Sequence, residues 1–130
     1  MGSLNLKFFH LSEFDSPDFP GSGINMHPDF LERIDEVRRV FGKPMVINSG
    51  YRTIYRNQAV NGSLRSSHLD GLAVDVRCTN SRDRFDLIEA FLEVGFTRLG
   101  IADTFIHADL SDQIEGEHSG LKDGNVIWTY

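Results

Sequence analysis

The sequence has little cysteine, little positive charge and no long apolar run. A single cysteine, Cys78, stands among its 130 residues, so no disulfide can form within the chain. The 13 Lys and Arg residues are scattered and are outnumbered by 19 Asp and Glu residues, which gives a net charge of -6. We therefore expect no nucleic-acid partner. Because no run approaches the roughly 20 apolar residues that span a bilayer, we also expect no membrane insertion.

Length and composition favour one compact domain over residues 1–130. With 40% hydrophobic residues, a chain of this size buries about two-thirds of its unfolded surface, enough for a core without a structural metal. Residues 1–25 are expected to form a turn-rich N-terminal arm. The opening stretch has one Lys and a short apolar patch that His10 breaks, which is unlike a signal peptide. We expect cytoplasmic synthesis without a signal peptide, and a monomer.

Apolar residues recur at helical spacing in three segments. The first begins at Pro28 and ends before Gly42, and the second follows Thr53. The third is expected to begin at a cap on Ser81 and to end at Gly95. Its expected apolar stripe comprises Phe85, Ile88, Phe91 and Leu92.

Period-two alternation predicts short strands between these helices. The expected strands are residues 45–48, 72–76, 96–101 and 105–110. In the second strand the apolar residues share one face, which leaves Asp75 on the other. In the last strand, His107 and Asp109 lie together opposite the apolar face. Helices interspersed with short strands indicate an α+β domain, with helices packed around a small antiparallel sheet.

Two of the five histidines are placed to converge on a carboxylate. His68 lies in a polar loop and precedes Asp75 by seven residues, across the turn at Gly71. Two imidazoles and one carboxylate suit Zn²⁺ and leave its fourth position open, as in catalytic zinc sites. We therefore expect one zinc ion per chain, held by His68, Asp75 and His107. A hydrogen-bonded structural His–Asp pair is the alternative interpretation of the same spacing.

Three ordered motifs resemble one known family. They are SGYRT at 49–53, SSHLDGLAVDV at 66–76, and RLGI followed by FIHADL at 98–110. The chain resembles the zinc D-alanyl-D-alanine carboxypeptidases and peptidoglycan endopeptidases, whose pattern is Ser-x-His, two residues, Gly-x-Ala-x-Asp and a distal His. The resemblance runs from about Phe14 to Tyr130 and is strongest to short single-domain members encoded by phages and bacteria. It implies the fold shared with the hedgehog signalling domain.

The resemblance also implies roles for individual residues. It places the metal ligands on the same three residues, His68, Asp75 and His107. It places the substrate-contacting arginine on Arg52, which would hold a carboxylate or a developing oxyanion, with a surface arginine as the alternative. Ser66 occupies the serine of Ser-x-His and would bind substrate or orient its loop, with a simple turn serine as the alternative.

The general base is where the chain departs from the family pattern. Other members place an acidic residue shortly before the distal histidine, where this chain has Thr104. We expect Asp109 to serve, because residues i and i+2 on a strand project the same way; Asp103 is the alternative base. The alternative role for Asp109 is to orient His107, since metal-bound histidines need such a partner.

The combined hypothesis is a zinc metallopeptidase that hydrolyses an amide bond in peptidoglycan stem peptides. It includes D,D- or L,D-carboxypeptidases and endopeptidases, among them phage endolysins that reach the cell wall after release or delivery. The alternative is a non-catalytic metal-containing peptide- or wall-binding module, or a phage structural component.

The remaining aromatic and imidazole side chains are expected in structural roles. His10, His27 and His118 have no partner at ligand spacing and are expected to be solvated or to flank helices. Trp128 and Tyr130 are expected to pack the end of the chain onto the core, with a roof over the cleft as the alternative.

Overall fold

A five-stranded sheet and two long helices share one hydrophobic core in the computed structural model, which describes residues 4–130. The first three residues of the expected N-terminal arm lie outside the described residues. The α-helices are α1 (Pro28–Phe41), α2 (Ile54–Ala59) and α3 (Ser81–Val94). The strands are β1 (Ile47–Ser49), β2 (Ala73–Arg77), β3 (Arg98–Ile101), β4 (Phe105–Asp109) and β5 (Val126–Thr129). Short 3-10 helices cover Leu11–Phe14, Ser22–Asn25 and Ser67–Asp70.

The strand order is β1-β2-β4-β3-β5. The first three neighbouring pairs are antiparallel, and β5 pairs with β3 in parallel at the edge of the sheet. The α+β class is confirmed, and β5 makes the sheet mixed. A parallel pair needs a long connection, and here the loop 110–125 returns the chain so that the N–H of Val126 donates to the carbonyl of Thr97 at 2.9 Å.

The ends of α1 confirm the sequence prediction. Pro28 occupies the first turn, and Nδ1 of His27 accepts a hydrogen bond from the N–H of Asp29 at 3.1 Å. His27 is therefore a capping residue. Gly42 adopts a left-handed φ of 76° just past the last turn, a conformation that favours glycine.

Two expectations for α3 are wrong. The N-cap is Asn80, whose side-chain oxygen accepts from the N–H of Asp83 at 2.9 Å, and Ser81 is the first helical residue. Phe85 and Leu92 are 67% and 49% exposed and are not part of the core stripe. The buried residues of this helix are Leu87, Ala90 and Phe91. The other two residues of the expected stripe are confirmed, since Phe91 is buried and Ile88 packs against the core. Packing against α1 and the ring of Phe96 rotates the buried face away from Phe85 and Leu92.

The faces of β2 and β4 divide the core from the site. Ala108 and Val74 are fully buried in the core, as the alternation predicts, while Asp75, His107 and Asp109 share the opposite face. Within residues 4–130, no helix is both long enough and apolar enough to cross a membrane.

The N-terminal arm supports the segment between β1 and α2. The N–H of Tyr51 donates to the carbonyl of Phe14 at 2.9 Å, and the N–H of Thr53 donates to Oγ of Ser16 at 3.2 Å. These bonds fix the backbone on both sides of Arg52. The arm therefore positions a residue of the site rather than lying free.

Candidate metal centre

The structure brings His68, Asp75 and His107 together. One ligand atom from each residue lies within 4.8 Å of the other two, and all three side chains are buried. His68 comes from the 3-10 helix Ser67–Asp70, Asp75 from β2 and His107 from β4, where Asp75 and His107 are directly paired across the strands. We call these three residues the triad.

The loop that carries His68 is held at both ends. Oγ of Ser66 caps the 3-10 helix by accepting from the N–H of His68 at 3.2 Å. Gly71 ends it with a φ of 67°, and a Cβ there would lie 2.4 Å from the carbonyl oxygen of Asn25, so only glycine fits. Nδ1 of His68 lies 2.7 Å from the carbonyl oxygen of Gly50, to which it donates. This bond leaves Nε2 free of its proton and aimed at Asp75.

His107 lies between two carboxylates. Its Nδ1 is 3.0 Å from Oδ1 of Asp75, and its Nε2 is 2.7 Å from Oδ2 of Asp109. The other oxygen of Asp109 accepts from Nε of Arg98 at 2.8 Å and from the N–H of Ser111 at 3.1 Å. Asp109 is 1% exposed, and both of its oxygens have partners. Asp109 thus contacts the ring nitrogen of His107 that lies away from Asp75.

Burial and hydrogen bonding act in opposite directions on the triad. Burial raises the pKa of Asp75, but its contacts with the imidazoles of His107 and His68 outweigh the effect of burial, and the pKa falls well below its usual range. Burial lowers the pKa of His68, so this imidazole is neutral at pH 7. Burial also disfavours the charged form of His107, yet the bonds to Asp109 and Asp75 raise its pKa.

The donor set fits a zinc ion. Asp75 is held as a carboxylate, and Nε2 of His68 and Nδ1 of His107 point towards the same carboxylate oxygen of Asp75, at 3.3 and 3.0 Å. The second nitrogen of each imidazole has an acceptor, Gly50 for one and Asp109 for the other, as zinc-binding histidines require. Three such ligands in an open cleft match the donor count of catalytic zinc sites.

The triad lies in an open cleft of about 350 Å³. Its walls, which we call the cleft walls, include Arg52, Ser66, Arg98, Lys122, Trp128 and Tyr130. The cleft is large enough for part of a peptide, and all three triad residues line it.

Arg52 lies in the cleft wall beside Asp75. Its Nη2 is 3.4 Å from Oδ2 of Asp75, Nε donates to Oγ of Ser49 at 3.2 Å, and Nη1 donates to Oδ1 of Asn57 at 3.3 Å. Burial lowers the pKa of this guanidinium, although Asp75 raises it. Three of its five N–H groups have protein partners, so two are left for a ligand.

Of the two remaining expected site residues, Ser66 lies in the cleft and Asp103 lies outside it. Ser66 lines the cleft, and its Oγ is engaged as the cap of the 3-10 helix. Asp103 is exposed in the turn between β3 and β4 and is not among the cleft residues; its carbonyl accepts from Arg84 at 3.0 Å. Of the two expected bases, only Asp109 reaches the triad.

Sequence reasoning missed Arg98 and Lys122 at the cleft and gave the cleft only as the alternative place for Trp128 and Tyr130. The ring of Trp128 lies 5.6 Å from that of His107, and Arg98 lies over the indole at 5.1 Å. Trp128 thus forms part of the roof that had been the alternative, and Tyr130 also lines the cleft. The small Gly100 makes room for this, since a Cβ there would lie 2.6 Å from Nε1 of Trp128. No spacing signal marked Lys122, which lies in the loop 110–125.

His118 also has a partner that the sequence did not reveal. Its Nδ1 lies 2.9 Å from Oδ1 of Asp70. The Asp70 carboxylate also accepts from two N–H groups, that of His118 through Oδ1 and that of Ser119 through Oδ2. Asp70 lies 48 residues earlier in the chain, so the pairing has no local sequence signal.

Fold and site together define a candidate metal centre on a mixed sheet, and comparison with known proteins gives the family. Residues 13–109, more than half of the chain, match the family model described as Peptidase M15. The chain belongs to the peptidase M15 family. The expected family is confirmed, and the matched stretch contains the whole triad. Residues 110–130, with Lys122 and Trp128, follow it. A comparison with curated proteins gives no match.

Proposed function

We propose that the protein is a zinc-dependent peptidase that hydrolyses an amide bond in peptidoglycan stem peptides. The observation that carries the proposal is the buried set of His68, Asp75 and His107, whose donor atoms converge on one point at an open cleft. Membership of the peptidase M15 family supports the reaction class. The resemblance of the motifs to peptidoglycan peptidases supports the choice of substrate.

The triad residues would hold the zinc ion. Zinc at such a site lowers the pKa of a water molecule towards about 7 and polarises a carbonyl group. With zinc bound, His68 and His107 would supply neutral nitrogen donors, because Gly50 and Asp109 accept the protons of their other nitrogens. Asp75 supplies a carboxylate that stays ionised.

Arg52 would orient the substrate. Its position is fixed by Ser49, Asn57 and Asp75, and its remaining N–H groups are free to donate to a substrate carbonyl or carboxylate. A guanidinium held in this way costs little reorganisation when negative charge develops on the substrate.

Asp109 is the carboxylate whose role decides the proton chemistry. Among residues 4–130 it is the only cleft carboxylate besides Asp75. Its bonds to His107, Arg98 and Ser111 occupy both oxygens and favour a positioning role over that of general base. Asp103, outside the cleft, is not favoured for either role.

Digestion of purified peptidoglycan tests the proposal. The zinc-loaded protein is incubated with the polymer, and mass spectrometry of the released ends identifies the bond that is cut and separates carboxypeptidase from endopeptidase action. The His107→Ala variant is the matched control and is expected to release nothing. Peptidoglycan that stays intact with the wild-type protein overturns the proposal, and binding of stem peptides without cleavage would indicate a binding module.

A further inference from the structure

The cleft carries more positive charge than its acidic protein suggests. Three cationic side chains line it, Arg52, Arg98 and Lys122, against the two carboxylates of Asp75 and Asp109. The whole chain has a net charge of -6. A local excess of positive charge inside a cleft attracts anionic ligands, and a divalent ion on the triad would increase it.

Two of the three cations are neutralised within the protein. Arg52 pairs with Asp75, and Arg98 pairs with Asp109. Arg98 has a further acceptor, since its Nη1 donates to the carbonyl of Asp123 at 2.6 Å. These guanidinium groups are parts of the scaffold around the triad.

Lys122 is different from both arginines. Across residues 4–130 its side chain forms no salt bridge, and the one hydrogen bond of that side chain joins Nζ to Oγ of Ser67 at 3.5 Å. An ammonium group has three N–H donors, so two of them have no acceptor among the described residues, and the side chain lines the cleft. By contrast, Lys43 on the far surface pairs with both Asp83 and Asp86.

The backbone of Lys122 is held in place. Its N–H donates to the carbonyl of Ser111 at 2.8 Å. The N–H of Ser111 in turn donates to Asp109, which contacts His107. The preceding loop is tied down by Asp70, which accepts from the N–H and the hydroxyl of Ser119 at 2.7 and 2.6 Å. Burial lowers the pKa of Lys122, although Asp109 raises it. A half-buried ammonium on a fixed loop is prepared for an anionic partner.

Arg52 and Lys122 lie at opposite ends of the triad, which determines how an anionic ligand would be oriented in the cleft. A line of contacts runs from Arg52 through Asp75 and His107 to Asp109, whose Oδ1 accepts from the N–H of Ser111. Nζ of Lys122 is bonded to Oγ of Ser67, which is bonded in turn to Oγ of Ser111. The ammonium group therefore lies at the Asp109 end of this line, and Arg52 lies at the other end. A ligand that crosses the triad from one end to the other meets a cation on each side.

We propose that Lys122 binds a carboxylate of the substrate peptide, at the Asp109 end of the triad. The proposal rests on the peptidase function proposed above and adds that the favoured substrates carry a negative charge close to the bond that is cut. That carboxylate has two possible sources, the free C-terminus of the peptide or an acidic residue within it. The chemistry that Lys122 recognises is the same in both cases.

Matched peptides test the proposal. Three synthetic stem peptides are compared: one with both carboxylates, one with a C-terminal carboxamide, and one with the internal acidic residue as its carboxamide. Binding is followed by the fluorescence of Trp128, the single tryptophan of the chain and a cleft residue. Titrations use both zinc-free and zinc-loaded protein, and cleavage assays add KM and kcat.

The wild-type protein should prefer the carboxylate peptide over one of the two carboxamides by about 10-fold or more, as for a hydrogen bond between charged groups. The carboxamide that weakens binding identifies the source of the carboxylate, either the C-terminus or the internal acidic residue. In Lys122→Met this preference should disappear, mainly through KM, and Lys122→Arg should keep most of it. Lys43→Met, the control, should keep the whole preference, and circular dichroism checks that each variant is folded.

The proposal is overturned if the wild-type protein binds all three peptides equally, or if Lys122→Met keeps the preference. The experiment distinguishes failure of the Lys122 proposal from failure of the proposed peptidase function. A protein that shows the Lys122-dependent preference in fluorescence but cleaves none of the peptides retains the carboxylate site and loses the peptidase assignment.

Discussion

The carboxylate of Asp109 lies 2.7 Å from Nε2 of His107 and is closed off from solvent. Arg98 holds the other oxygen of this carboxylate at 2.8 Å. A carboxylate fixed in this way keeps a neighbouring imidazole in one orientation and one tautomer. Such a partner increases the metal affinity of the imidazole. The two residues act as one unit, and a change in Asp109 should first appear in metal affinity.

Replacing Asp109 by Ala or Asn should weaken zinc binding by about 10- to 100-fold, because the His107 ring loses its partner. Competition with a chelator measures the affinity, and excess zinc should restore most of the activity. Asp103→Ala is the control and should change neither quantity. Full zinc affinity together with a loss of turnover of about 10²- to 10⁴-fold would instead assign the general base to Asp109.

Removal of either triad histidine should abolish zinc binding. The wild-type protein should bind about one zinc ion per chain, the count that a single three-ligand site allows. A 100-fold excess of zinc over its dissociation constant should stabilise the folded protein by about 2.7 kcal/mol. His68→Ala and His107→Ala should lose this gain in thermal unfolding experiments, whereas the exposed His10→Ala should keep it. Equal stabilisation of the triad variants would place the ion elsewhere.

Substituting Arg52 by Lys should reduce cleavage of the substrate by about 10- to 100-fold while zinc stays bound. Lysine keeps the charge but cannot bind Ser49, Asn57 and Asp75 and still present a planar donor pair. Steady-state kinetics and metal analysis give the two quantities. Arg56→Lys, one turn further along the chain and outside the cleft, is the matched control. Wild-type turnover in Arg52→Lys would show that the planar group is not needed.

Adding a methyl group at Gly100 should displace Trp128. A Cβ there would meet Nε1 of the indole at 2.6 Å, and overpacking of this kind costs about 1–3 kcal/mol. Urea unfolding of Gly100→Ala should show that loss, together with a shift in tryptophan emission. In a Trp128→Leu background the same change should cost less than half as much, and an equal cost in both backgrounds would contradict the contact.

Loss of the Asp70 carboxylate should loosen the loop that carries Lys122. Asp70 accepts bonds from both backbone and side chain of Ser119, and Asp70→Ala leaves these donors unsatisfied at a cost of about 1–3 kcal/mol. Hydrogen exchange at the N–H of Ser119 should become faster. Asp123→Ala, on the exposed part of the same loop, should stay within about 0.5 kcal/mol of wild type. Unchanged exchange in Asp70→Ala would show that other contacts hold the loop.

The sequence predicts the triad and its framework well because the relevant signals are local. Alternation in β2 and β4 assigns Asp75 and His107 to one face, and the glycine after the 3-10 helix marks the turn that returns His68 to them. The caps of α1 follow from Pro28 and Gly42 in the same way. Each of these features depends on neighbours within a few residues.

The features that the sequence did not predict depend on distant contacts. The buried face of α3 is chosen by α1 and Phe96, and β5 forms because β3 offers an open edge. The pairing of Asp70 with Ser119 spans 49 residues. Composition and spacing do not reveal such partners. Lys122 was found only in the folded chain, which also showed that Trp128 lines the cleft beside His107.

The direct pairing of Asp75 with His107 makes the triad sensitive to how β2 and β4 are aligned. A shift of one residue between these strands would send their side chains to opposite faces. A shift of two would place Ala73 or Arg77 opposite His107, and neither residue supplies a carboxylate. The ligand set therefore exists in a single strand alignment. An ion that binds during folding would select that alignment against its slipped competitors.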